Sequence, residues 1–216
     1  MTDHIKSLPT YTKKQEIWNS ISHFLGFGFA LVITIYFCLL RKPFADLFPY
    51  LVYSFFMMVM FFVSGFYHSR KFSTKVRAVS RIIDHCDIYL FVAATYTPIC
   101  FFGINNVDIA LALLVIEWSL AIIGVVMNAI NLNSKVVQIV GYAIYLVAGW
   151  AIVFFYPFNL GISFNVFLFI LLGGISYTIG AILYSIGHKN RWFHTVFHFF
   201  VLAGAILQFV GIYFLI

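Results

Sequence analysis

The chain has 216 residues, of which 63% are hydrophobic and only 9% charged, with a mean hydropathy of +1.00. A water-facing surface needs about 25% charged residues, so a soluble enzyme, a nucleic-acid-binding domain and a disordered chain are all excluded. The formal charge of +6 is then read as basic loops that set orientation and meet anionic headgroups, with no role for nucleic acid.

A helix needs about 20 mostly apolar residues to cross the ~30 Å hydrocarbon layer. In chain order, the stretches that meet this are Ile21–Leu40, Phe48–Tyr67, Ile82–Phe102, Ile109–Ala129, Val136–Tyr156, Ile162–Ile186 and Trp192–Ile216. Polar breaks separate them at Arg41-Lys42-Pro43, Ser69 to Arg81, Asn105-Asn106, Asn131 to Lys135, Pro157-Phe158-Asn159 and His188 to Arg191. The expectation is an all-α, seven-transmembrane-helix bundle (21–216) behind a short cytoplasmic tail (1–20). The polar tail carries no small-residue cleavage site, so no signal peptide is expected. Three cysteines, Cys38, Cys86 and Cys100, lack metal or redox spacing and imply no disulfide framework.

Loop charge sets the direction. Eleven of the thirteen basic residues fall on the side of the amino-terminal tail and the even-numbered loops, and only Arg41 and Lys42 on the other. The positive-inside rule places the eleven in the cytoplasm, which puts the amino terminus inside and Ile216 outside. That is opposite to a G-protein-coupled receptor or a microbial rhodopsin, and the last span has no mid-helix lysine for a retinal Schiff base.

All seven histidines fall on the cytoplasmic side of this layout, at His4, His23, His68, His85, His188, His194 and His198. Ionisable residues within spans are costly, face the bundle interior and mark function. His194 and His198 stand four apart, on one helix face and about 6 Å apart along the axis. Ser64 and His68 share that spacing, and Asp84 and Asp87 open the third span. Three helices so bring His68, His194, His198, Asp84 and Ser64 to one depth. Three neutral imidazoles with an open fourth position form a catalytic zinc site.

Taken singly, each residue has a plainer role. The histidines could meet headgroups, Asp84 could pair with Arg81 or cap its helix, and Ser64 could bond back to its own helix. At one depth and on one side they favour a metal site, with Asp84 the nearest base because His194-Thr195-Val196-Phe197-His198 lacks the zincin glutamate. His85 points about 100° away from Asp84 and suits a headgroup or loop contact; His188 and His23 rank below the trio, and Cys86 suits a small packed residue. Gly173, Ser176, Gly180 and Gly187 mark a close helix contact. Glu117, deep in the fourth span, is either a functional carboxylate or a protonated one held within the bundle; the sequence leaves both open.

These segments together resemble a known family. Ser64-Gly65-Phe66-Tyr67-His68, Arg81-Ile82-Ile83-Asp84-His85 followed by Tyr96-Thr97-Pro98, and His194-Thr195-Val196-Phe197-His198 are similar to motifs of the hemolysin III family. So are Trp18-Asn19-Ser20-Ile21-Ser22-His23 and Gly173-Gly174-Ile175-Ser176-Tyr177-Thr178-Ile179-Gly180. That family is the bacterial branch of the progestin and adipoQ receptors, grouped with alkaline ceramidases. The resemblance implies a seven-helix bundle in the cell membrane, the inner membrane of a bacterium. It also implies a Zn2+ ion held by His68, His194 and His198, with Asp84 at the zinc water and Ser64 beside it. The chain departs from the animal receptors in lacking their long cytoplasmic domain.

Two readings of function follow. The first is a zinc-dependent hydrolase of a lipid amide or ester, a ceramide-like acyl amide entering from the membrane, with Asp84 as base and Ser64 on the developing oxyanion. The second is a non-enzymatic membrane-homeostasis or sensor protein whose zinc pins helices together. The family name adds cytolysis by pore formation as a third, although nothing here resembles a secreted toxin that inserts from solution. Membrane lipids are the expected partners.

Overall fold

The protein, described by a computed structural model over residues 8–156, 161–187 and 190–216, is all-helical, with no strand among the described residues. The helices are α1 Lys13–Leu39, α2 Phe44–Ser69, α3 Lys75–Pro98, α4 Val107–Asn131, α5 Lys135–Gly149, α6 Ala151–Phe155, α7 Phe164–Ile186 and α8 Trp192–Tyr213; a π-helix, Ile99–Gly103, continues α3. Six of these units (α1, α2, α3 with the π-helix, α4, α7 and α8) are long and apolar enough to cross a bilayer. The Pro157-Phe158-Asn159 break, His4 and His188 lie outside the described residues.

Two helices begin seven or eight residues earlier than hydropathy alone indicates. The first starts at Lys13 rather than Ile21 because Thr12 and Gln15 form a capping box: Gln15 N donates to Thr12 Oγ1 (3.3 Å) and Thr12 N to Gln15 Oε1 (2.9 Å). The third starts at Lys75 rather than Ile82, where Arg77 N donates to the Thr74 side chain (3.2 Å). Most of the tail beyond residue 12, and half of the polar segment between the second and third spans, is therefore helix that continues past the apolar run.

The fifth expected span, Val136–Tyr156, is not one helix. It breaks at Trp150, whose φ and ψ are −97° and 3°, into α5 and the one-turn α6. Irregular backbone at membrane depth requires partners for the freed groups. Tyr96 of α3 supplies them: its hydroxyl donates to the Gly149 carbonyl (3.2 Å) and accepts from Ile152 N (3.0 Å). The Trp150 indole is anchored on Thr178 Oγ1 (3.1 Å).

Consecutive helices α1 to α4 pack side by side, α7 pairs with α8, and α8 closes back onto α1. The α7–α8 contact is close because glycines line it. A Cβ on Gly204 would sit 2.6 Å from Tyr177 Cε1, and Ser176 Oγ donates to the Phe200 carbonyl (2.8 Å), as the small-residue spacing in the sixth predicted span leads one to expect. The core is aromatic and aliphatic, with Tyr53, Met57, Phe61, Phe91 and Ile99 fully enclosed, while Leu39, Val107 and Ile130 stand exposed on the outer faces. A bundle wrapped in exposed apolar side chains is suited to lipid rather than water.

Tyr11 and the last residues of the chain lie at opposite ends of the described bundle. Tyr11 packs on His68 and His194, whereas Tyr50 OH donates to the Leu215 carbonyl (3.0 Å) and Lys42 Nζ to the Ile216 carbonyl (3.1 Å).

Candidate metal centre

The last turn of α2 carries His68 and the first turns of α8 carry His194 and His198, all buried. The i, i+4 spacing on α8 stacks its two imidazoles on one face, and α8 is brought toward α2 through their shared neighbour α1. The rings meet by Nε2: His194 Nε2 is 3.3 Å from His68 Nε2 and 3.0 Å from His198 Nε2. One ligand atom from each lies within 4.8 Å of the other two.

A neutral imidazole nitrogen either donates or accepts, once. His194 Nε2 cannot satisfy two Nε2 neighbours as a hydrogen-bond partner. Three lone pairs directed at a common cation resolve that conflict, and tetrahedral zinc with bonds of 2.0–2.1 Å sets its nitrogens about 3.3 Å apart. The residues present therefore fit a metal ion with three protein ligands.

The opposite edge of His68 fixes its tautomer. Its Nδ1 is 2.7 Å from Glu16 Oε2 and 3.3 Å from the Asn19 amide nitrogen; with Glu16 ionised against Arg77, the shorter contact puts the proton on Nδ1 and leaves the Nε2 lone pair facing the other two rings. Carboxylate–histidine pairs behind metal ligands orient the ring and raise its basicity. Glu16 is held in turn by the buried Arg77, whose guanidinium also donates to the Arg70 carbonyl (2.8 Å) and lies 4.8 Å from the centre of the Tyr67 ring.

The whole chain can be compared with known proteins on this basis. The model of the haemolysin-III related family matches residues 11–209. The chain belongs to that family. It is 32% identical over 208 residues to a hemolysin-3 homolog of Bacillus subtilis (strain 168), covering 94% of this chain and 95% of the relative. It is 29% identical over 218 residues to hemolysin-3 of Bacillus cereus, covering 99% and 97%.

The other residues singled out in this haemolysin III chain are placed as follows. Ser64 is buried one turn before His68, and its hydroxyl faces the Asp84 carboxyl, which also neighbours Arg81. Asp84 is not among the converging ligand atoms, but it shares the neighbours Tyr67 and Tyr184 with them. Those rings pack on His68 and His194 at centroid distances of 4.5 and 5.4 Å. The His85 ring bonds the Arg81 carbonyl (2.9 Å) and Tyr184 OH (3.1 Å). Cys86 packs with its thiol toward the Val125 carbonyl (3.6 Å) and is no ligand. All three cysteines are free.

His23, which the sequence ranks below the trio, lies beside it without joining the converging ligand atoms, and Glu16, Arg77 and Tyr11 are parts of the site that the sequence does not mark. His23 is buried with its ring 4.0 Å from that of His198, and neither of its nitrogens has a partner. Tyr11 stacks on His194 at 4.8 Å and meets His68 edge-on at 5.6 Å, beneath the Arg191 guanidinium. It forms a cap over these two rings. Burial holds the Tyr11 phenol far above its ordinary value, so the hydroxyl stays neutral.

Proposed function

We propose that this protein is a zinc-dependent hydrolase of a lipid amide or ester, acting at the His68, His194 and His198 centre. The observation that carries the reading is the convergence of three buried Nε2 atoms, one of them backed by Glu16. The chemistry zinc supplies in such a site is Lewis acidity toward a carbonyl and an acidified water. Glu16 accepts the Nδ1 proton of His68 and so keeps that ring a ligand. Asp84 is the base: it orients the attacking water, takes its proton and passes that proton to the leaving amine or alcohol. Ser64 bonds Asp84 and holds its carboxyl in place; when its hydroxyl turns away it can donate to the developing oxyanion. Tyr11 covers the His68 and His194 rings, so the substrate arrives from the membrane, which selects a lipid. The same reading places the histidine end of the bundle in the cytoplasm, by the basic loops, and takes α5 and α6 together as the seventh crossing of a bacterial cell membrane.

The cap itself favours a second reading, a structural zinc in a membrane-homeostasis or sensor protein. Metal that ties α2 to α8 supplies folding free energy and needs no open ligand position. Asp84→Asn separates the two. Hydrolysis of short-chain ceramides and lipid esters in nanodiscs, lost by 100-fold or more in Asp84→Asn with metal content and melting temperature unchanged, supports catalysis. Wild-type protein with one zinc per chain and no turnover of any lipid amide or ester refutes it.

A further inference from the structure

A second polar position lies far from the histidines. Glu117 is 1% exposed and stands ten residues into α4, about 15 Å from its start and so near the middle of a ~30 Å hydrocarbon layer. The neighbouring indole of Trp118 donates to Thr97 Oγ1 (3.2 Å), which sets Glu117 level with the end of α3. Thr97 is thirteen residues beyond Asp84, roughly 20 Å along the helix, so the two carboxyls belong to different sites.

The two hydroxyls at that level already donate elsewhere. The Tyr96 hydroxyl donates to Gly149 O, and the Thr97 hydroxyl donates to Ala93 O (3.1 Å). Glu117 Oε2 has no hydrogen-bond partner, and no cation among the described residues pairs with the carboxyl. Titratable neighbours within electrostatic range are Tyr96 of α3 and Cys100 of the π-helix; α5 and α6 present the backbone break at Gly149–Trp150. Both irregular stretches, the π-helix and this break, are joined to the Glu117 level through Tyr96. Near the carboxyl stand the Tyr96 phenol and the Cys100 thiol, and the Tyr96 hydroxyl reaches on to the Gly149 carbonyl of the broken helix. Unwound backbone carbonyls beside a buried acid, near the bilayer midplane, are the means by which discontinuous membrane helices coordinate small cations.

We infer that Glu117, with Tyr96 and the α5–α6 break, forms a second site that binds a small monovalent cation, a proton or a sodium ion, at mid-membrane depth. The inference rests on burial and bonding around Glu117, and it stands whether or not the histidine centre hydrolyses lipid.

Infrared difference spectroscopy of the full chain in nanodiscs tests it, with wild type beside Glu117→Gln and Glu117→Asp. The spectra are taken across a pH series in sodium-free buffer, then across a sodium series at one pH. The expected result is a protonated-carboxyl band that Glu117→Gln lacks, that Glu117→Asp shifts, and that disappears in wild type as pH rises or sodium is added. Disappearance with pH alone identifies the proton as the ligand, and disappearance with sodium identifies the metal ion. A Glu117 band unchanged at every pH and sodium concentration overturns the inference, because the residue is then a permanently neutral structural acid. Absence of any such band in wild type under every condition overturns it equally. Melting curves of the variants in the same nanodiscs establish that they are folded.

Discussion

Glu16 joins the candidate centre to a buried cation, and its removal has two separable consequences. In Glu16→Ala, His68 loses the acceptor 2.7 Å from Nδ1. Loss of such an outer-shell partner costs about 10–100-fold in metal affinity, or about 1.4–2.7 kcal/mol. Arg77, 1% exposed, loses its one carboxylate partner among the described residues. Stranding a buried charge costs about 3–5 kcal/mol. Arg77 keeps the Arg70 carbonyl at 2.8 Å and the Tyr67 ring at 4.8 Å, which places the loss at the lower end, about 3 kcal/mol. Arg77→Met removes the cation and leaves Glu16 on His68, so it divides the two effects. Competition with a chelating dye should show 10–100-fold weaker zinc binding in Glu16→Ala and a change of threefold or less in Arg77→Met, while thermal melting in detergent falls most for Glu16→Ala. Zinc affinity in Glu16→Ala within twofold of wild type would refute the claim that this carboxylate orients His68.

Three further outcomes follow from particular contacts. Tyr96→Phe deletes both bonds that close the α5–α6 break and leaves Gly149 O and Ile152 N unpaired, so it should lower stability by about 1–3 kcal/mol per stranded group, read as a drop in melting temperature with zinc content unchanged. Tyr11→Ala removes the ring stacked on His194; zinc transfer to an external chelator should become at least tenfold faster, with the amount bound at equilibrium within a few-fold of wild type. Gly204→Ala places a methyl against the Tyr177 ring and should cost about 1–3 kcal/mol by overpacking α7 on α8, again by thermal melting; an unchanged melting temperature would mean that the two helices are not held that closely.

Apolar run length located the six helices long and apolar enough to cross a bilayer, since crossing leaves the chain few alternatives. The i, i+4 pairs Ser64/His68 and His194/His198 were equally legible, because helical geometry turns sequence spacing into a shared face. Other parts of the site carry no such mark. Glu16 and Arg77 stand in stretches that look like a polar tail and a polar loop; only the caps at Thr12 and Thr74 extend the helices through them and turn both side chains inward. His23 reads as a residue ranked below the trio, and its contact with His198 depends on α8 closing back onto α1, a pairing distant in sequence. The break at Trp150 is invisible to hydropathy, because Gly149, Trp150 and Ala151 are as apolar as their neighbours and the compensating group, Tyr96, lies on another helix.

The central claim is that His68, His194 and His198 together hold one metal ion. Elemental analysis of wild type purified without chelator, beside His68→Ala and His194→Ala, tests it most directly. The account predicts about one zinc per chain in wild type and near-complete loss in each variant, with both still folded. Metal-free wild type, or zinc retained in full by both variants, would contradict it.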